Sequence, residues 1–314
     1  MCIRDSDTIF PLFLFIAGVS FPYSVAKQRA GGMSEGRIYA KIVRRGLTLV
    51  VLGMVYNGLF KLDFENLRIA SVLGRIGLAW SIAAVLYLNF GVKTRAAIAV
   101  AVLAGYGALS ALVAAPDAAG AGPLTFEGNL AGYIDRQFLP GKLIYGSFDP
   151  EGLLSTVPAV VTAMLGMFTG EFVRRGDIRG GRKTLWMAAA AAALLAAGLA
   201  FSGVLPVNKK LWSSTFVCVV GAYSLGMFAL FYYLIDVRGW RRWTLFFRVV
   251  GLNSITIYLA QRIVGFGRIS DFFLGGIASK CPEAVAAVIS SAGYVAVCWL
   301  FLYFLYRKNV FLKV

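Results

Sequence analysis

The sequence predicts an all-α fold: a polytopic transmembrane helical bundle of about nine spanning helices. Three observations predict it. Hydrophobic residues make up 59% of the 314 and charged residues only 15%, more apolar surface than a soluble domain buries. The apolar residues come in unbroken runs of roughly twenty, enough to cross a ~30 Å hydrocarbon core as helix. A closed β-barrel would instead show short alternating segments. Basic residues gather in every second gap between the runs, which is the mark of loops on one side of a membrane. The net charge of +16 is therefore read as membrane orientation, with membrane lipid and not nucleic acid as the partner.

The runs follow in order. From Ile9 to Ala26 there is no charge; Pro11 falls in the first turn, where a missing N–H costs little, and Asp7 stands where a carboxylate caps open N–H groups. This gives a helix over 8–26. The next spans are placed at 40–60, 69–90 and 96–115. Arg75 interrupts the third, about two turns in. A long loop, 116–152, ends in Gly146-Ser147-Phe148-Asp149-Pro150-Glu151-Gly152 and leads into a helix over 153–173. In it Gly166 and Gly170 form a GxxxG, a weak sign of close helix approach. The remaining spans are 184–205, 212–235, 250–266 and 284–306.

The loops set the orientation. Gaps 27–45, 91–95, 174–183, 236–248 and the tail from 307 are rich in Arg and Lys, with Glu35, Asp177 and Asp236 and, at the edge, Glu171 as their acids. Gaps 61–68, 116–152, 206–211 and 267–283 are nearly balanced. The first set is assigned to the cytoplasm, which puts the C-terminus inside and Asp7 outside. Met1–Ser6 has no apolar h-region of a signal peptide and resembles a spurious hexapeptide found at the start of gene models from environmental DNA. We expect residues 1–6 to be non-native and a further helix to precede Asp7.

Four cysteines without CxxC spacing indicate neither a metal site nor a disulfide framework. Histidine is absent, and with it the commonest general base near neutral pH. Polar groups at membrane depth usually face protein or a wet cavity. Arg68 and Arg75, seven residues apart, share a helical face; Arg75 either pairs with Asp149 or Glu151 or holds an anionic ligand. Asp149 and Glu151 open a helix, where one of them caps and the other is free to bind an amino or hydroxyl group. Asn253, Ile257 and Gln261 share one face, suited to hydrogen bonds between helices. Tyr306, Arg307 and Lys308 close the last helix as a membrane anchor or as a phosphate-binding edge.

These stretches resemble the transmembrane acyltransferase family of heparan-α-glucosaminide N-acetyltransferase and its bacterial relatives. The matching pieces are Asp7–Gly18 (D-x-I-F-P-L-F-L-F-I-A-G), Arg68–Arg75 (R-I-x-x-V-L-x-R), Asp149–Leu153 (D-P-E-G-L), Pro206–Trp212 (P-V-N-K-K-L-W), Asp236–Gly239 (D-V-x-G), Asn253–Tyr258 (N-S-I-x-x-Y) and Leu305–Val314. They recur in family order from end to end.

The resemblance implies one acyltransferase domain, 7–314, lacking its first helix. It implies an acetyl group passed from cytoplasmic acetyl-CoA, a co-substrate, to an amino sugar or polysaccharide on the other side, with no metal. Asp7, Arg68, Arg75, Asp149, Glu151, Asn253 and Gln261 would line or brace the acceptor site, and Tyr306, Arg307 and Lys308 the CoA end. A bacterial inner membrane and a homodimer are family-level expectations. Two departures stand out. The family's catalytic histidine lies just upstream of D-x-I-F-P, where this chain has none, so this chain is expected to be inactive. Gly74 stands where relatives commonly carry glutamine. The alternative is a permease or lipid-linked sugar flippase, with Arg75 and the Asp149/Glu151 pair as substrate clamps.

Overall fold

Apolar runs of this length satisfy their own backbone in lipid as helices, and the computed structural model is built that way. It describes residues 6–312. Residues 1–5, on which the expectation of a non-native start falls, lie outside the described residues, as does Lys313. The chain divides into two units, Met1–Arg238 and Gly239–Val314.

The first unit holds α1 (Ser6–Ala30), α2 (Glu35–Tyr56), α3 (Val72–Asn89), α4 (Val92–Leu112), α5 (Leu130–Phe138), α6 (Leu153–Arg174), α7 (Gly180–Ala200) and α8 (Ser214–Tyr232). The second holds α9 (Thr244–Leu252), α10 (Ser254–Ala260), α11 (Phe266–Ala278) and α12 (Glu283–Arg307). Among the described residues, seven helices are long and apolar enough to cross a membrane: α1, α3, α4, α6, α7, α8 and α12. With 22 residues, α2 reaches about 33 Å but carries Lys41, Arg44 and Arg45 in its first half. The chain is an integral membrane protein of all-α architecture.

Three expectations need correcting. The run 250–266 is not one span: α9 stops at Leu252, Asn253 leaves the helical region (φ −126°, ψ 27°), and α10 has only 7 residues. The Asn253 carboxamide accepts from the Thr256 hydroxyl (3.2 Å), the local competition that makes Asn a poor helix-interior residue. The stretch 267–283, read as a loop, contains α11; its Gly275 and Gly276 lower helix propensity without breaking the helix. The loop 116–152 contains α5, capped by Asn129, which accepts from the Gly132 N–H at 2.6 Å.

In the first unit the core gathers on α6, with Leu14, Trp80, Ala83, Met164, Phe216 and Val220 among its buried side chains. Helices α1 and α6 run parallel in contact of the tightest kind. A Cβ on Gly18, Gly166 or Gly170 would strike the backbone carbonyl of Ala163, Phe15 or Val19, respectively. The GxxxG of the sequence is thus a place where two backbones touch. Helices α2 and α3 pack antiparallel, Gly46 against Gly77 and Ser81, Gly53 against Ser71 and Gly74.

At the basic helix ends, several charges also fasten the bundle. Arg95 pairs with Glu171 at 2.7 Å and lies over the Tyr87 ring at 4.4 Å. Arg174 donates to the Pro22 carbonyl (2.9 Å), Lys183 to that of Val173 (2.7 Å). Gly166→Leu, which forces a side chain between α1 and α6, is expected to cost about 1–3 kcal/mol or more. Thermal unfolding in detergent checks it, against Gly176→Leu, where nothing lies within 4 Å of the added Cβ and the melting temperature should hold.

Candidate functional site

The site is built from loops between helix ends of the first unit. Helix α2 stops at Asn57, whose side-chain amide donates to the carbonyls of Arg68 (2.8 Å) and Ala70 (2.9 Å). Arg68 bridges antiparallel to Gly141, and the Lys142 N–H donates to the Leu67 carbonyl at 3.1 Å. Gly141 has φ +81° and sits where a Cβ would strike Leu67, so only glycine suits the position. Arg68 is therefore held on an extended segment. It is not on a helical face shared with Arg75, as the seven-residue spacing predicted; α3 begins only at Val72.

The pinned Arg68 reaches the loop ahead of α6. Its Nε donates to Asp149 Oδ2 (2.7 Å) and its Nη2 to Oδ1 (2.6 Å), a two-pronged fork, and Nη2 also donates to Glu151. The Asp149 side chain is completely buried and also accepts the N–H groups of Ile144 (3.2 Å) and Glu151 (2.9 Å). Burial pushes the Asp149 carboxyl up, but the Arg68 hydrogen bonds and charge outweigh it and hold the pKa below the usual carboxylate range. For Arg68, burial works against the charge. The Asp149 hydrogen bond and the Glu151 charge prevail, and its pKa rises above the ordinary value.

Neither Asp149 nor Glu151 caps α6, contrary to expectation. The cap comes from Asp135 on α5, which the sequence reading missed. Its carboxylate accepts the Leu153 N–H (2.9 Å) and the Asp149 N–H (3.2 Å), and Gly152 leaves room for it, since a Cβ there would collide with the carboxylate. Burial raises the Asp135 pKa to about 6, against the lowering effect of those two backbone hydrogen bonds. The only signal in the sequence was an acid at the end of the apolar run Leu130–Ile134 in the loop.

Arg75 lies in the first turn of α3, not two turns deep, and is 2% exposed. Arg68 has taken the carboxylates expected of it. Arg75 donates instead to the Pro150 carbonyl and the Ser155 hydroxyl, and its guanidinium stands over the Trp212 ring at 4.9 Å. Trp212 is itself held in the left-handed region (φ 51°), with its ring edge-on to Phe10 (4.9 Å) and Phe216 (5.2 Å). Backbone strain of that kind in a buried aromatic persists where the surroundings over-determine it.

These groups surround a cavity of about 820 Å³. The loops of the balanced set within this unit come together at it, with the N-terminal ends of α1, α3, α6 and α8. One wall is charged: Arg68, Arg75 and Glu151, with Asp7 and Lys209, whose charges pair at 2.9 Å. Part of the lining is aromatic. Phe126, Tyr145 and Phe148 contact one another with ring centroids 5.0–5.7 Å apart, and Lys210 Nζ lies 4.4 Å from the Tyr145 ring. Flat apolar rings and charged groups lining one cavity, beside several positive helix ends, suit a ligand with one apolar face and a rim of hydroxyl or anionic groups.

Of the other expected residues, Asn253 and Gln261 flank α10 in the second unit: Asn253 is buried and Gln261 exposed. A separate pocket of about 590 Å³ in that unit is lined by Arg248, Leu252, Tyr306, Arg307, Asn309 and Phe311. Tyr306 ends a ladder of stacked rings that runs from Phe246 through Trp299 and Tyr303. Lys308 caps α12 and is exposed. Arg248 was not among the sequence candidates. Among the described residues, no group of His, Cys, Asp and Glu could hold a metal ion.

No protein-family model matches the chain. Similar curated proteins are heparan-alpha-glucosaminide N-acetyltransferase of Homo sapiens, 27% identical over 98% of this chain and 54% of that protein, and the protein of the same name from Mus musculus, 25% identical over 98% and 55%. The chain spans about half the length of the curated relatives it matches. The similarity is a family-level relationship, and it runs through both units.

Arg68→Ala strands a buried carboxylate and is expected to cost about 3–5 kcal/mol; Arg68→Lys, which cannot make the fork, falls between. Unfolding curves and hydrogen exchange over 139–152 measure both. The folded state binds the Asp135 proton more tightly than the unfolded chain does. Its stability relative to Asp135→Asn is therefore greatest below pH 3.8 and declines as pH rises through about 6. Unfolding of the two proteins across that window tests the sign.

Proposed function

We propose that this protein is a membrane acyltransferase that takes an acetyl group from acetyl-CoA on the basic side of the membrane and passes it to an amino sugar held in the 820 Å³ cavity on the other side. That cavity carries the reading. A pyranose offers apolar C–H faces to Phe126, Tyr145 and Phe148, and hydroxyl and amino groups to Glu151, Asp7 and the arginines. The relatives named for N-acetyl transfer to a glucosaminide support both the reaction and the acceptor class.

The donor end is assigned to the second unit. Arg248 and Arg307 beside Tyr306 offer two guanidinium groups for phosphates and a ring for a purine. The resemblance drew Tyr306, Arg307 and Lys308 to this role; the pocket's lining includes Tyr306 and Arg307, adds Arg248 and does not include the exposed Lys308. A bacterial inner membrane, a cytoplasmic C-terminus and a dimer belong to the same proposal.

In the reaction the amine attacks the thioester carbonyl, a C–N bond forms, the C–S bond breaks and CoA leaves as its thiol. The amine's proton must be removed as it attacks. The sequence has no histidine, and Asp149, held ionised by Arg68, is a weak base locked in a structural pair. The cavity residues are assigned binding and orientation, and none is assigned the proton transfer.

CoA titrated into the protein in detergent should bind, and Arg307→Ala or Arg248→Ala should weaken it by about tenfold or more, the worth of a charged hydrogen bond. Lys308→Ala should matter less. A folded protein indifferent to CoA would favour transport of the sugar instead.

A further inference from the structure

A second cavity of the first unit, about 440 Å³, lies between α3, α4 and α6 and shares Arg75 and Glu151 with the larger one. From that junction it runs along the two helices as a trough. Leu78, Ile82 and Leu86 form the α3 wall, and Val157, Val160 and Met164 the α6 wall. From Gly74 to Leu86 this is about 18 Å of helix. Leu78, Ile82 and Val157 are exposed, so the trough is open along its side, where a spanning helix meets lipid. Its two hydroxyls are engaged with their own helix ends. Ser71 accepts the Gly74 N–H (2.9 Å) and Thr156 donates to the Gly152 carbonyl (2.7 Å). What the trough presents is hydrocarbon.

A sugar that arrived from water would use the polar cavity alone. A trough of hydrocarbon that leaves that cavity at one charged junction suits a ligand with the same division. We propose that the acceptor is a lipid-linked amino sugar, with its sugar in the larger cavity, its linker between Arg75 and Glu151, and its hydrocarbon chain between α3 and α6. This rests on the acceptor site of the preceding section. Arg75 fits the junction: it is a cation that lines both cavities, and its buried Nε has no hydrogen-bond partner in the structure. The chain gains no hydrophobic energy by leaving lipid for the trough. The trough instead contributes packing and confinement, which raise the concentration of the sugar at the cavity.

The test uses the full chain in phosphatidylcholine nanodiscs and a dodecyl glucosaminide that carries a photoreactive diazirine on its alkyl chain. Labelling is mapped by mass spectrometry, and binding of free glucosamine is measured in parallel by calorimetry. The expected result is labelling concentrated on 78–86 and 157–164, suppressed by excess glucosamine. It should fall about tenfold relative to glucosamine affinity in Val157→Trp and in Ile82→Trp, either of which fills the trough. Labels spread evenly over lipid-facing helices, or labelling untouched by glucosamine that does bind, would overturn the lipid-linked acceptor and leave the sugar site standing. If glucosamine does not bind at all, the sugar site falls and the inference with it.

Discussion

The site depends on one charged contact, the fork of Arg68 on Asp149. The two residues are 81 positions apart. Their pairing joins the segment after α2 to the loop before α6. Both oxygens of the Asp149 carboxylate accept from Arg68, and each also accepts a backbone N–H, from Ile144 or Glu151. A buried pair of this kind is costly to desolvate and costlier to break. It therefore acts less as a source of stability than as a constraint, because alternative packings of the two loops would leave a bare charge. Arg68 also holds Glu151 at the cavity, and Arg75 is left to a carbonyl, a hydroxyl and the Trp212 ring.

Helix direction explains why the cavity is where it is. Helices α1, α3, α6 and α8 all begin at this end of the first unit. Their unsatisfied N–H groups and dipoles make it electropositive before any side chain is counted. The protein answers with Asp135 at the α6 end, while Ser71 and Ser213 cap α3 and α8. The opposite helix ends carry Arg95, Arg174 and Lys183, bonded to a carboxylate or to carbonyls. Charges that orient a membrane protein can thus also hold its helices together. Between the two ends, the parallel contact of α1 and α6 on bare glycine backbone keeps the two N-termini level at the cavity.

Part of this was legible from residue types, and part only from the family resemblance, which alone singled out Pro206–Trp212. The D-P-E-G turn, Arg68, Arg75, Asp7 and the Pro206–Trp212 stretch do meet in one cavity. What misled was local reading of long-range partners. Arg68 sat at helical spacing from Arg75 but belongs to an extended segment bridged to Gly141. Asp149 stood at a helix start but serves Arg68, while the cap comes from Asp135, 18 residues before the N–H it binds. Asn57, which fixes the Arg68 backbone, and Arg248, which joins Tyr306 and Arg307, had no motif to mark them.

By itself the sequence determined that this chain is helical and that it lies in a membrane. Those properties follow from run length and backbone hydrogen bonding in lipid, both of which are local sums over neighbouring residues. Tertiary structure decided which acid meets which base, which glycine carries a backbone contact and where a hydrocarbon trough opens off a polar cavity. Pairings across such sequence distances are set by three-dimensional packing, where a single guanidinium can satisfy only the carboxylates that the fold brings within reach.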